Sequence, residues 1–144
     1  MKFVNCVKIL IVGLLASFVS SCGDDVVYQT FQNTDEALCA HTWSETYETT
    51  NEDNVEVTCI HQLKFAKAGN SGQEIFQYYY VGQNRPYSTV TGNFDWEWLD
   101  ASKEGLRMDF GAGNIVYFEN VWVREHYLSG KLDGVMVTFV EEGY

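Results

Sequence analysis

The chain has 144 residues, 46% hydrophobic and 15% aromatic, with a formal net charge of -11. That length fits one domain with a packed core, and the aromatic content excludes a disordered polymer. Twenty acidic against nine basic side chains exclude a duplex nucleic-acid binder, and a single long apolar run, at the N-terminus, excludes a polytopic membrane protein.

Residues 1–21, MKFVNCVKILIVGLLASFVSS, start with Lys2 and Lys8 around a short apolar stretch over 9–19. A membrane-spanning helix takes about 20 apolar residues, so the stretch has the proportions of a signal peptide. It ends in Val19-Ser20-Ser21-Cys22, which resembles the lipobox of bacterial lipoproteins. The resemblance implies cleavage before Cys22, acylation of Cys22 and a lipid anchor in the membrane. Gly23, Asp24 and Asp25 follow and resemble the sorting signals of Bacteroidetes lipoproteins, which implies the outer membrane, on its periplasmic face or at the cell surface. Several acyl chains hold stably where one holds only marginally. Residues 22–36 then read as a lipidated tether and 37–144 as the folded domain, although 26–31 have the composition of an edge strand.

Thr34-Asp35-Glu36-Ala37-Leu38 reads as one capped helical turn, with Thr34 as N-cap and acids in its first turn. From His41 onward the apolar pattern has period two, which argues for strands. Over 41–49, Trp43, Glu45 and Tyr47 share a face. Over 55–66, Val55, Val57, Cys59, His61, Leu63 and Phe65 share one face, and Glu56, Thr58, Ile60, Gln62, Lys64 and Ala66 the other. The turn-forming residues between them predict a hairpin pairing Thr49 with Val55. Further strands are predicted at 74–81, 87–99, 106–110, 114–123 and 135–141, with glycine-, asparagine- and serine-rich connections, including 129–134. Phe94, Trp96 and Trp98 face one way and Asp95 and Glu97 the other, as on a sheet with one dry side. The runs Tyr78-Tyr79-Tyr80 and Tyr117-Phe118 are apolar on both faces. Either terminal segments cover them or the surface is sticky. The fold class is all-β: an antiparallel meander of seven or eight strands, forming a small barrel or a strongly curled sheet.

The lipobox signal, the short helical turn, Trp43 early in the first strand and the meander together resemble the lipocalin-like lipoproteins of Bacteroidetes over about 38–140. His41-Thr42-Trp43 stands where lipocalins carry Gly-x-Trp. The resemblance implies a small barrel.

No metal site or cofactor site is expected, because His41, His61 and His126 are scattered and lack ligand spacing. Asn51-Glu52-Asp53 lacks the glycine and terminal glutamate of an EF-hand loop and reads as a solvated turn. With no G-x-S-x-G and only commonplace acidic pairs such as Glu45 and Glu48, no catalytic residues are assigned and the chain does not read as an enzyme. Cys39 and Cys59 reside in an oxidising compartment, where a disulfide is permitted. The hairpin register puts Cys39 near Phe65, about 20 Å along the strand from Cys59, so a bridge forms only if the helical turn folds back along the sheet. The same register sets Cys59 opposite Glu45, His61 opposite Trp43, and Glu45 diagonal to His61. Trp43, Glu45, His61, Trp96 and Trp98 are therefore the candidate ligand-binding residues, a polar pair on an aromatic wall. That arrangement suits a pocket, and it also suits an inert buried network. Two function classes follow. One is a binding module for an apolar, amphiphilic or glycan ligand, and the other an interaction lipoprotein docking on an envelope protein partner.

Overall fold

A computed structural model describes residues 32–144. The leader, Cys22, residues 22–31 of the tether and the edge strand considered at 26–31 lie outside the described residues. The compact unit runs from Gln32 to Tyr144, so it takes in residues 32–36, which the sequence assigns to the tether.

The unit opens with helix α1, Asp35–Leu38, followed by eight strands: β1 Thr42–Thr50, β2 Glu56–Ala66, β3 Ser71–Tyr80, β4 Ser88–Trp98, β5 Leu106–Asp109, β6 Ile115–Val123, β7 Tyr127–Leu132 and β8 Val135–Glu141. Each strand pairs antiparallel with the next, and β8 returns to β1, closing a barrel. The expected all-β meander is what the structure shows, with closure rather than an open curl.

Two differences from the sequence reading have physical causes. The eighth strand, β7, lies in a segment read as a connection because it contains Ser129 and Gly130. Gly130 is there for close packing: a Cβ on it would stand 2.7 Å from the Glu119 carbonyl oxygen and 2.7 Å from the Phe118 ring. The turn that ends β7 is only Asp133-Gly134, both at positive φ (47° and 83°), the conformation that two-residue hairpins favour. Second, the β1–β2 register pairs Glu45 with His61, Tyr47 with Cys59 and Trp43 with Leu63, not Glu45 with Cys59 or Trp43 with His61. Val55 belongs to the turn. Asn51 Oδ1 accepts from the backbone N–H groups of Asp53 (3.0 Å) and Val55 (2.9 Å), and Asn54 takes φ 56°, so the connection is displaced by one residue, from 50–54 to 51–55. Because the pairing moves in a step that conserves alternation, every side chain keeps its expected face. Of the two outcomes left open for Cys39 and Cys59, the structure has both thiols free. Cys59 sits five positions along β2 from Lys64, the partner of Thr42, and α1 does not fold back along the sheet.

One end of the barrel is plugged. Leu38, Trp43, Leu63, Phe65, Phe94, Trp96, Leu106, Met108, Phe118, Leu128 and Phe139 form its core. Thr34 caps α1 as expected, its Oγ1 accepting from Ala37 N at 3.1 Å. Asp35 accepts from Trp98 Nε1 at 2.8 Å and from Lys103 Nζ at 2.9 Å, and the Lys103 ammonium and then the indole hold its carboxyl below the usual carboxylate range. Ahead of α1, Asn33 is buried. Its amide donates to the carbonyls of Lys103 and Val121, and its oxygen accepts from Val123 N.

The other end flares. β1 pairs with β8 only at Trp43 and Ser44, and β4 pairs with β5 only from Asp95 to Trp98. Among the described residues, the upper edges of β1 and β4 therefore have no ladder partner beyond those pairs. The β1–β4 half rises as a curled wall above the shorter β5–β8 half. Tyr47, Tyr80 and Val90, on the inner face by register, are 40%, 42% and 54% exposed.

Candidate ligand-binding site in the barrel mouth

The inner wall of β1–β2–β3 is laid out in rows. Trp43, Leu63 and Glu74 form the row nearest the plug. Glu45, His61 and Phe76 come next, then Tyr47, Cys59 and Tyr78, and finally Thr49, Val57 and Tyr80. Side chains directly opposite on adjacent strands lie close enough to interact.

His61 is the polar centre. Its Nδ1 lies 2.9 Å from Glu45 Oε1 and its Nε2 lies 2.8 Å from Glu74 Oε1. With both carboxylates ionised they only accept, so both ring nitrogens donate and the ring is an imidazolium. Burial works against that charge, and the hydrogen bonds donated to Glu45 and Glu74, backed by the carboxylates' charges, outweigh it and raise the pKa of His61. Phe76 stacks on the ring at 4.2 Å and Phe139 meets it edge-on at 5.0 Å. Both expected polar residues thus meet, in direct opposition rather than diagonally, and Glu74 completes the group.

One row further out, Tyr47 and Tyr78 flank Cys59 from the neighbouring strands, within side-chain hydrogen-bonding reach of its sulfur. Burial, followed by the hydrogen bond with Cys59, raises the pKa of Tyr47. Burial also raises that of Tyr78, and it pushes the Cys59 thiol up. The row is neutral at physiological pH, and the thiol is a packing group rather than a nucleophile.

The three candidate tryptophans are placed differently from the polar pair. Trp43 is fully buried and donates to the Leu38 carbonyl at 2.8 Å. Trp96 is 3% exposed and its indole N–H is shared between the carbonyls of Ala66 and Ser71, while Trp98 is spent on Asp35. All three belong to the plugged half and present no face to the mouth. The geometry moves the aromatic part of the site to tyrosines.

Comparison with family models, with curated proteins and with solved structures yields no match. The site therefore has to be read from its own geometry.

At the rim, a pocket of about 460 Å³ is lined by Thr50, Asn51, Glu52, Asp53, Tyr78, Tyr80, Tyr87 and Ser88. Tyr80 and Tyr87 stack at 4.2 Å with an interplanar angle of 20°, and Tyr78 lies 6.4 Å from Tyr87. The Tyr87 amide is fixed by donating to the Tyr78 carbonyl at 2.9 Å. Tyr80 and Tyr87 keep about two-fifths of their surface open. A larger open groove of about 780 Å³ lies along β2–β5, and Phe65 and Phe94 in its lining are already buried in the core. Among the described residues, no three His, Cys, Asp or Glu side chains are grouped to hold a metal. Sequence reasoning missed the tyrosine cluster because Tyr78-Tyr79-Tyr80 reads as apolar on both faces. The signal available was Tyr87 at the end of the 81–87 connection, next to Ser88, the partner of Tyr78.

Proposed function

We propose that the chain is a lipid-anchored binding module of the bacterial outer membrane, holding a small apolar, amphiphilic or glycan ligand in the flared mouth of its barrel. The observation that carries this is the Tyr80–Tyr87 stack, exposed at the edge of a pocket in an otherwise plugged barrel. Exposing aromatic rings is costly in water, and rings rigidly held at a concave rim gain contact area on binding with little entropy loss. Titration with fatty acids, bile salts, haem, oligosaccharides and small ammonium compounds, followed by NMR shifts of the tyrosine rings, tests it. Saturable shifts at Tyr78, Tyr80 and Tyr87, weakened at least about tenfold in Tyr87→Ala, support the module. Absence of binding by every class would remove it.

The anchor is assigned to Cys22 on the Val19-Ser20-Ser21-Cys22 sequence. Cys22→Ala is expected to leave uncut precursor or to release protein from the membrane fraction, read by fractionation and intact mass. A wild-type mass without acyl chains would overturn the assignment.

A second reading, docking on an envelope protein, is favoured by the outward-facing Tyr117, Trp122, Tyr127 and Met136 on β6–β8, which are 46%, 58%, 44% and 71% exposed. Charge substitutions there should abolish association with the partner while leaving ligand-induced tyrosine shifts intact.

A further inference from the structure

The tyrosine rim has a charge pattern that narrows its ligand. Its pocket is lined by two carboxylates, Glu52 and Asp53, three phenols and three neutral polar groups, and by no basic side chain. Arg85, the only cation in the 81–87 connection, is not among the lining residues. Deeper in the mouth, Glu45 and Glu74 carry two negative charges against the single positive charge of His61. The field in the mouth is therefore negative from rim to floor, on a chain whose net charge is -11. Concave low-dielectric walls concentrate such a field. The open ring faces of Tyr80 and Tyr87 are electron-rich, and a cation within about 6 Å of a ring centroid is attracted to that face.

We infer that the ligand carries an ammonium group seated on the Tyr78–Tyr80–Tyr87 cluster beside Glu52 and Asp53, its aliphatic part running into the mouth over Tyr47 and Val90. This rests on the mouth being the binding site, and it excludes fatty acids and bile salts, whose carboxylates would meet four acidic side chains. Tyrosine rings supply the face and the carboxylates supply the counter-charge, so neither a neutral nor an anionic head group satisfies both.

The test compares isosteres on the full chain. Choline, neutral 3,3-dimethylbutanol and 3,3-dimethylbutanoate have the same branched head and differ chiefly in charge. Choline is expected to bind at least about tenfold more tightly than the alcohol at low salt, with shifts at Tyr80 and Tyr87. The gap should narrow at high salt and collapse in Glu52→Gln/Asp53→Asn, which leaves the ring stack in place. Equal affinity for choline and the alcohol would overturn the ammonium inference while the mouth remains a binding site. Binding of an oligosaccharide at the same tyrosines without choline would do the same. Choline binding that survives Tyr87→Ala would overturn the placement.

Discussion

Replacing His61 with leucine is expected to lower the unfolding free energy by about 3 kcal/mol, read as a shift in urea midpoint with an unchanged slope. The ring has 6% of its side chain exposed and bridges two carboxylates that are each about one-fifth exposed. Its loss leaves Glu45 and Glu74 facing each other with no neutralising charge, and leucine cannot donate to either. Partial access of water to both carboxylates puts the expected cost at the low end for breaking a buried pair. Removing the charges as well, in Glu45→Gln/Glu74→Gln/His61→Leu, should recover most of the loss, because the repulsion is then gone. The pH dependence has a definite sign. The pKa of His61 is raised above its ordinary value of 6.5, so its contribution is complete below about pH 6.5 and is lost as pH climbs through the raised value. Wild type should therefore lose stability on the alkaline side relative to His61→Leu. Parallel stability curves for the two proteins between pH 6 and 9 would show that the imidazolium is not what holds the carboxylates.

Gly130→Ala should cost about 3 kcal/mol, close to the upper range for overpacking a well-filled site. The new Cβ would meet the backbone oxygens of Glu119 at 2.7 Å and Asn120 at 3.0 Å, besides the Phe118 ring. A ring can rotate a little, but those two carbonyls sit where the β6–β7 register already shifts between Glu119 and Trp122, and moving them breaks the remaining pairs. Gly134→Ala is the control. That position is also at positive φ but has nothing within 4 Å of a built Cβ, so only the left-handed strain of about 1 kcal/mol applies. Equal midpoints for the two variants would contradict the packing explanation of Gly130.

Alternation from residue 41 onward was enough to read the fold, because a period of two fixes which side chains face inward whatever the register. It placed Phe94, Trp96 and Trp98 inside and Asp95 and Glu97 outside, as found. Register was less legible, since it depends on how Asn51 folds its own turn and on the one-residue difference that puts Val55 outside β2. The strand β7 was hidden because a glycine signals a turn and a close backbone approach equally well. The polar half of the site was visible as Glu45 and His61. Glu74 was not, because its contact is diagonal across two strands. The tryptophans misled because their size marks them for a wall, whereas their indole N–H groups found carbonyl or carboxylate partners in the plugged end. The tyrosine rim emerges only from the flare, which arises from strand lengths: β1–β4 have nine to eleven residues and β5 has four.

Asn33 has a mechanical consequence. A pull applied to the chain at residue 32 reaches the barrel through three hydrogen bonds on one side chain, to Lys103, Val121 and Val123. Behind them α1 is wedged by the Asp35 contacts to Trp98 and Lys103. The load thus enters at the plugged end, where the strands have ladders on both sides, and is carried by β6 and the 99–105 connection. The flared rim, with its two unsupported edges, lies outside the force path. The three bonds thus join the N-terminal side of the unit to its plugged end, and Tyr78, Tyr80 and Tyr87 are not among their partners.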